Sequence, residues 1–182
     1  MKYNYLYFAL LLVNSQVVGY SRKDYGLWSD DDGDCQNTRH EMLISQSLQE
    51  VKFDQSGCHV IKGNWLDAYT NQSYVFSKDL EVDHVVALQN ADINGANQWN
   101  LGKKNAFAND EMNLLLVSQR INRVKGSKNP SQWLPPNIAF RCSYVRVWWA
   151  IKQKWGLGMS VHEAHTMILF QNNCNFTDRR KK

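Results

Sequence analysis

The run DLEVDHVVAL, residues 79–88, carries an acid and a histidine side by side in an otherwise apolar, β-like stretch. Neighbouring side chains of a strand point to opposite faces, so Asp83 and His84 cannot both be buried in one core. At least one must meet water, a partner or a ligand. By itself the fragment reads as an edge strand with two exposed polar residues. The residues downstream change that reading. Asn113 stands just ahead of the apolar run LLLV, and Asn122 follows on a short helical pattern. A strand, a turn region, a second strand and a helix can bring four polar side chains together. Histidine titrates near neutrality, so a neutral His84 can take a proton from water. Asp83 and Asn122 offer hard oxygen ligands of the kind that Mg²⁺ or Mn²⁺ prefers.

Basic residues surround Asn122: Arg120, Arg123, Lys125 and Lys128. They form either a phosphate-contacting rim, supplying affinity without sequence information, or a solvated charged helix face. Both readings stay open on spacing alone. The block DDDGDCQNTRHE fails the calcium-loop pattern: with Gly33 in sixth place, Trp28 falls first and Arg39 twelfth. It reads as an acidic surface turn ahead of a capped helix, or as a segment whose Arg39, and Asp34 through structure, supports a phosphate site. HEAH, residues 162–165, spaces its histidines three apart and so does not make the two-histidine zinc face of a metalloprotease helix.

The elements that must position these residues follow from periodicity. Thr38 and Glu41 have the form of a capping box, and Met42, Leu43, Leu48 and Val51 continue a helical stripe, which predicts a helix over 38–50. Cys58–Trp65 and Ser73–Phe76 read as a hairpin with turn material between them, and Leu80–Val86 as a third strand. Residues 97–109 are expected to be helical, Leu114–Val117 a strand, and Ser118 the cap of a brief helix reaching Val124. WLPPN enforces extended backbone. Ile138–Trp155 is a helix pattern closed by Gly156, and Ser160 with Glu163 opens the last helix. Trp148, Trp149 and Trp155 sit at helical spacing and are assigned to the core.

The chain begins with Lys2, an apolar run from Leu6 to Val13 broken only by Tyr7, and the small residues Val17 and Gly19. The run is too short for a bilayer, which needs about 20 residues, and reads as a secretory signal peptide over 1–19. Residues 20–182 then form a single domain, with no later segment suited to spanning a membrane. Loss of Lys2 lowers the formal charge from +4 to +3, a mild balance that permits a polyanionic partner without requiring one. Acids cluster at residues 30–34, while 120–128 and the tail 179–182 are basic. Cys35, Cys58, Cys142 and Cys174 make an even set in a secreted chain, and no CxxC pair suggests zinc. Of three pairings, Cys35–Cys58 and Cys142–Cys174 are expected, each closing a loop within one half of the chain.

The blocks DGDCQ-TR, DHVVAL, NLLLVS, N-KG-K and WLPP occur in that order. Together they resemble the HNH, or ββα-metal, nucleases, and more narrowly a secreted subgroup related to the C-terminal nuclease part of GmrSD-type restriction enzymes. The resemblance covers roughly residues 24–174. It implies an α+β fold: a ββα-metal core with additional N- and C-terminal helices, stapled by disulfides. It also implies that His84 is the general base, that Asn113 hydrogen-bonds and orients its ring, and that Asp83 and Asn122 hold one Mg²⁺ or Mn²⁺ on the scissile phosphate. Asp83 would face the metal and His84 the attacking water. Many HNH sequences end the motif with histidine; Asn122 in that place favours Mg²⁺ over softer metals. The implied protein is a secreted monomer, extracellular or periplasmic in a bacterial host. It would cut DNA with little sequence preference, leaving 5′-phosphate and 3′-hydroxyl ends, with RNA open as a further substrate. The alternative is a secreted protein that binds nucleic acid on a nuclease fold without cutting it.

Overall fold

The computed structural model describes residues 19–174; the leader expected over 1–19 falls, but for Gly19, outside these residues, as does the basic tail. Two antiparallel sheets carry the strands. β1 (Lys52–Phe53), β2 (Val60–Asp67) and β3 (Gln72–Phe76) form one, in that order; β4 (Leu80–His84) and β5 (Leu114–Ser118) form the other. Among the described residues six α-helices complete the α+β architecture: α1 (Thr38–Ser45), α2 (Leu88–Ile93), α3 (Leu101–Ala108), α4 (Gln119–Lys125), α5 (Arg141–Trp155) and α6 (Val161–Asn173).

The β4–β5 ribbon divides the interior in two, and its period-2 alternation is the reason. Val82 pairs with Leu116 and His84 with Leu114 on one face; Glu81 pairs with Val117 and Asp83 with Leu115 on the other. Leu80, Val82, Leu114 and Leu116 pack with Met42, Leu43, Val60 and Trp65 in a smaller core under α1 and β2. Val117 and the turn residues Val85 and Val86 join the larger core with Ile121, Phe107, Tyr144, Val145, Trp148 and Ile151. Trp148 is fully enclosed there, with Trp149 and Trp155 packed partly buried beside it, as the helical spacing predicts.

Several boundaries differ from the sequence expectation, each for a visible reason. Helix α1 stops at Ser45 instead of 50 because the chain turns to pair with β2: Leu48 N–H donates to the Asn64 carbonyl, and Asn64 N–H to Ser47 Oγ. Its cap is Asn37, whose side chain accepts from His40 N–H, while the Thr38 hydroxyl donates to Asn109 Oδ1 at 2.8 Å. Strand β4 ends at His84 because Asn113 peels the following residues away, and the unforeseen α2 begins four residues later. Helix α5 ends as expected, with Gly156 in the left-handed region at φ 64°. Both expected disulfides form, Cys35–Cys58 across 23 residues and Cys142–Cys174 across 32. Loops of that size are worth roughly 3–4 kcal/mol each in the chain-entropy account. Among the described residues, no helix is long and apolar enough to cross a membrane.

Candidate active site

The last two residues of β4 point to opposite faces, and each has been given different surroundings. The His84 ring lies parallel to the Trp28 indole, with centroids 5.4 Å apart and planes 10° off parallel. Its Nε2 is 2.9 Å from the Ala108 carbonyl oxygen at the end of α3. A carbonyl only accepts, so the neutral ring carries its proton on Nε2 and leaves the Nδ1 lone pair available. Burial pushes the ring down to about 3, against the pull of the Ala108 bond and with help from the charges of Arg22 and Lys125. His84 is therefore neutral at physiological pH.

Asp83 is buried on the other face. Its Oδ1 accepts from Lys125 Nζ at 2.8 Å and its Oδ2 from the Tyr69 hydroxyl at 2.7 Å. Lys125 is fully enclosed and also donates to the His84 carbonyl at 2.8 Å. Burial raises the Asp83 carboxyl, and Lys125 and Tyr69 oppose it. Lys125 is thus no part of an exposed phosphate rim; the i, i+3 spacing from Asn122 turns it inward onto β4.

Asn122 bridges the two environments. Its Nδ2 donates to Glu81 Oε2 at 2.8 Å, which fixes the amide and leaves Oδ1 to offer. Asn122 and His84 line the same cleft, of about 380 Å³, with Asp83 in its wall and Tyr20, Arg22, Trp28 and Gln89 around its mouth. Asn113 does not reach the ring. Its Oδ1 accepts from Val86 N–H at 2.8 Å and its Nδ2 donates to the Val86 carbonyl at 3.2 Å, while its own carbonyl accepts from Val85 N–H. It holds the turn that follows His84, and the Ala108 carbonyl holds the ring.

The remaining basic residues lie elsewhere. Arg120, Arg123 and Lys128 are exposed but do not line the cleft; Arg123 is 3.9 Å from Glu81, and Lys128 Nζ caps the Val124 carbonyl. Arg39 donates to the carbonyls of Ser77 and Leu80, pinning the entry to β4 in place of a phosphate. Asp34 is exposed and accepts from Gln36 N–H within its own turn.

Residues 36–168 match the family described as GmrSD restriction endonucleases, C-terminal domain. The chain belongs to that family. Membership in the GmrSD C-terminal-domain family points to a nuclease-type hydrolase acting on nucleic acid. The chain is also 33% identical, over 86% of its length and 76% of the relative's, to a protein of Arthroderma benhamiae described as an uncharacterized secreted protein. No solved structure matches.

In this member of the GmrSD C-terminal-domain family, Asp83 and Asn122 are the oxygen donors at the cleft that could hold a hard divalent cation. Among the described residues nothing donates to the Asn122 amide oxygen, and each Asp83 oxygen keeps a lone pair after its hydrogen bond. Mg²⁺ is commonly held by one or two carboxylates with waters and phosphate completing the shell. Lys125 competes with such an ion for Asp83. Arg22 and Trp28 escape sequence reasoning because they sit in no motif and lie far from β4 in the chain. Arg22 is exposed, its guanidinium 5.9 Å from the Trp28 ring, and among the described residues it is the one cation lining the cleft.

Proposed function

We propose that this chain is a secreted, HNH-type, divalent-metal-dependent endonuclease that hydrolyses phosphodiester bonds of DNA with little sequence preference, RNA being a further substrate. The observation that carries the reading is the His84 ring. It is neutral, held by Nε2 on the Ala108 carbonyl, clamped by Trp28, and set in a cleft beside Asn122 and Arg22. Secretion is supported by the two disulfides and by the secreted relative.

In this mechanism Nδ1 of His84 accepts the proton of the attacking water. A phosphodiester entering the cleft brings negative charge beside the ring, which favours the imidazolium and offsets the burial that otherwise disfavours it. Trp28 and the Ala108 carbonyl keep the ring from turning, so the acceptor is oriented before substrate arrives. Arg22 pairs with a phosphate oxygen at the mouth. Asn113 fixes the turn after β4 and thereby the backbone of His84. Asp83 and Asn122 would hold Mg²⁺ or Mn²⁺, which supplies Lewis-acid stabilisation of the phosphate and the leaving 3′ oxygen. Lys125 and Tyr69 set the position and charge of Asp83.

The test is incubation of plasmid with the purified mature chain in Mg²⁺ or Mn²⁺, with and without EDTA, beside His84→Ala. Nicking that EDTA and the substitution both abolish is the expected result. Tight binding of plasmid with no nicking in either metal would return the chain to the non-catalytic alternative.

A further inference from the structure

A second concavity adjoins the cleft and is unused by the chemistry above. It encloses about 660 Å³ and meets the cleft at Ser127, which lines both. Its wall comes from α2, the loop after α4 and the start of α6, and it includes four amides: Asn90, Asn94, Asn129 and Gln132.

Each amide has one end fixed by a group of known polarity. Asn90 Oδ1 accepts from Lys152 Nζ at 2.8 Å, Asn129 Oδ1 from Ser131 N–H at 2.9 Å, and Gln132 Oε1 from Asn129 N–H at 3.1 Å. An ammonium and a peptide N–H can only donate, so the three oxygens are assigned and three NH₂ groups are left over. Asn94 runs the other way: its Nδ2 donates to the Asn90 carbonyl at 2.7 Å, leaving its Oδ1. Asn90 is 3% and Asn129 9% exposed, yet none of the three spare NH₂ groups is among the enclosed, unpartnered polar atoms, so the donors open onto the pocket and are free to meet a ligand.

The pocket's charge is balanced within its wall. Glu163 and Lys152 are fully enclosed and 3.3 Å apart; among the described residues, Glu163 Oε2 has no hydrogen-bond partner and no lysine or arginine lines the pocket. Phosphate seeks cations and would gain little there. Uncharged groups that combine carbonyl or ring-nitrogen acceptors with an N–H suit it, and a nucleobase edge has both. His162 is the one ring among the described lining residues and the four amides outnumber it, so recognition rests chiefly on hydrogen bonds to that edge, with at most one stacking partner.

Building on the nuclease reading, we propose that this pocket receives one nucleobase of the substrate strand, next to the phosphate at His84. It thereby imposes a base preference at a single position beside the cut.

Uncharged deoxynucleosides are the probe, followed through the side-chain NH₂ resonances of Asn90, Asn129 and Gln132 in the intact protein. At least one of the four should shift them. Gln132→Glu and Asn129→Asp keep the oxygens that hold the loop and replace each free donor by an anionic acceptor oxygen, which an uncharged nucleoside meets as a lost hydrogen bond; each should weaken that binding by about 3- to 10-fold. Sequencing of cut ends should show a bias at one flanking position that both variants flatten. Nucleoside binding here without plasmid cleavage would leave the pocket standing and overturn the nuclease reading. Cleavage with neither an NH₂ shift from any deoxynucleoside nor a positional bias would overturn the pocket alone.

Discussion

Replacing Lys125 by methionine probes the buried arrangement on which the active-site reading depends. The ammonium donates at 2.8 Å to both Asp83 Oδ1 and the His84 carbonyl, with no exposure. Methionine preserves the packing of the stem and removes both donations, leaving the enclosed carboxylate only the Tyr69 hydroxyl at 2.7 Å. Breaking a buried pair from one side costs about 3–5 kcal/mol. Asp83→Asn combined with Lys125→Met removes both charges and should recover most of that loss. Burial already raises the Asp83 carboxyl against the pull of Lys125; without Lys125 it rises further. A folded-state value above the unfolded one gives stability that is present at acid pH and lost as pH rises through it. The deficit of Lys125→Met should therefore grow from acid toward neutral pH. If Asp83 ligates the metal, Mg²⁺ at a hundred times its dissociation constant returns about 2.7 kcal/mol to the single variant and nothing to the double. The assay is urea denaturation followed by tryptophan fluorescence, with and without Mg²⁺. A Lys125→Met chain within about 0.5 kcal/mol of the parent, or a double variant no better than the single, would refute this account of the pair.

His84 carries a further pH signature: its ring sits at about 3 when folded and 6.5 when free. The unfolded chain then binds the extra proton between those values, so stability is full above 6.5 and falls toward 3, by about 2 kcal/mol from pH 7 to pH 5. His84→Gln should lack that loss in urea titrations at the two pH values and should cut plasmid at least ~10²-fold more slowly; an unchanged pH dependence refutes the buried ring. For Arg22→Met, the slope of log affinity for duplex DNA against log salt should drop by about 0.9, whereas Arg120→Met leaves it flat if only the cleft binds phosphate. A drop for Arg120→Met with none for Arg22→Met would put the substrate on the outer face of α4. Asn113→Ala unpairs the Val86 peptide and should cost roughly 1–3 kcal/mol in the same urea assay, while nicking falls because the turn behind His84 loosens; full activity at full stability would remove Asn113 from the positioning machinery.

Where a property depends on a local repeat, the sequence already contained it. Alternation in residues 80–84 and 114–118 separates the two faces of the ribbon, because a pleat sends successive side chains opposite ways. It was enough to show that Asp83 and His84 must lead separate lives. The 3.6-residue stripe of Tyr144, Val145, Trp148 and Ile151 likewise marks the buried face of α5 before any packing is known. The cysteine pairing was legible too, since each bridge closes a loop inside one half of the chain.

Helix α2 was not legible. Leu88–Ile93 is short, Ala87 gives it no capping side chain, and the apolar Val85 and Val86 ahead of it prolong the strand pattern. What ends β4 is the amide of Asn113, a residue remote in sequence. The same limit governs the charges. Arg120, Arg123, Lys125 and Lys128 are alike as a run of basic residues, yet Lys125 is enclosed against Asp83 while the others face solvent. A charge pattern records which residues are basic; which one is stripped of water depends on the single direction in which α4 meets β4. Arg22 and Trp28 reach His84 only because the chain ahead of α1 folds back over the cleft. Contacts between segments so far apart follow from packing of the whole domain, and no periodicity within either segment encodes them.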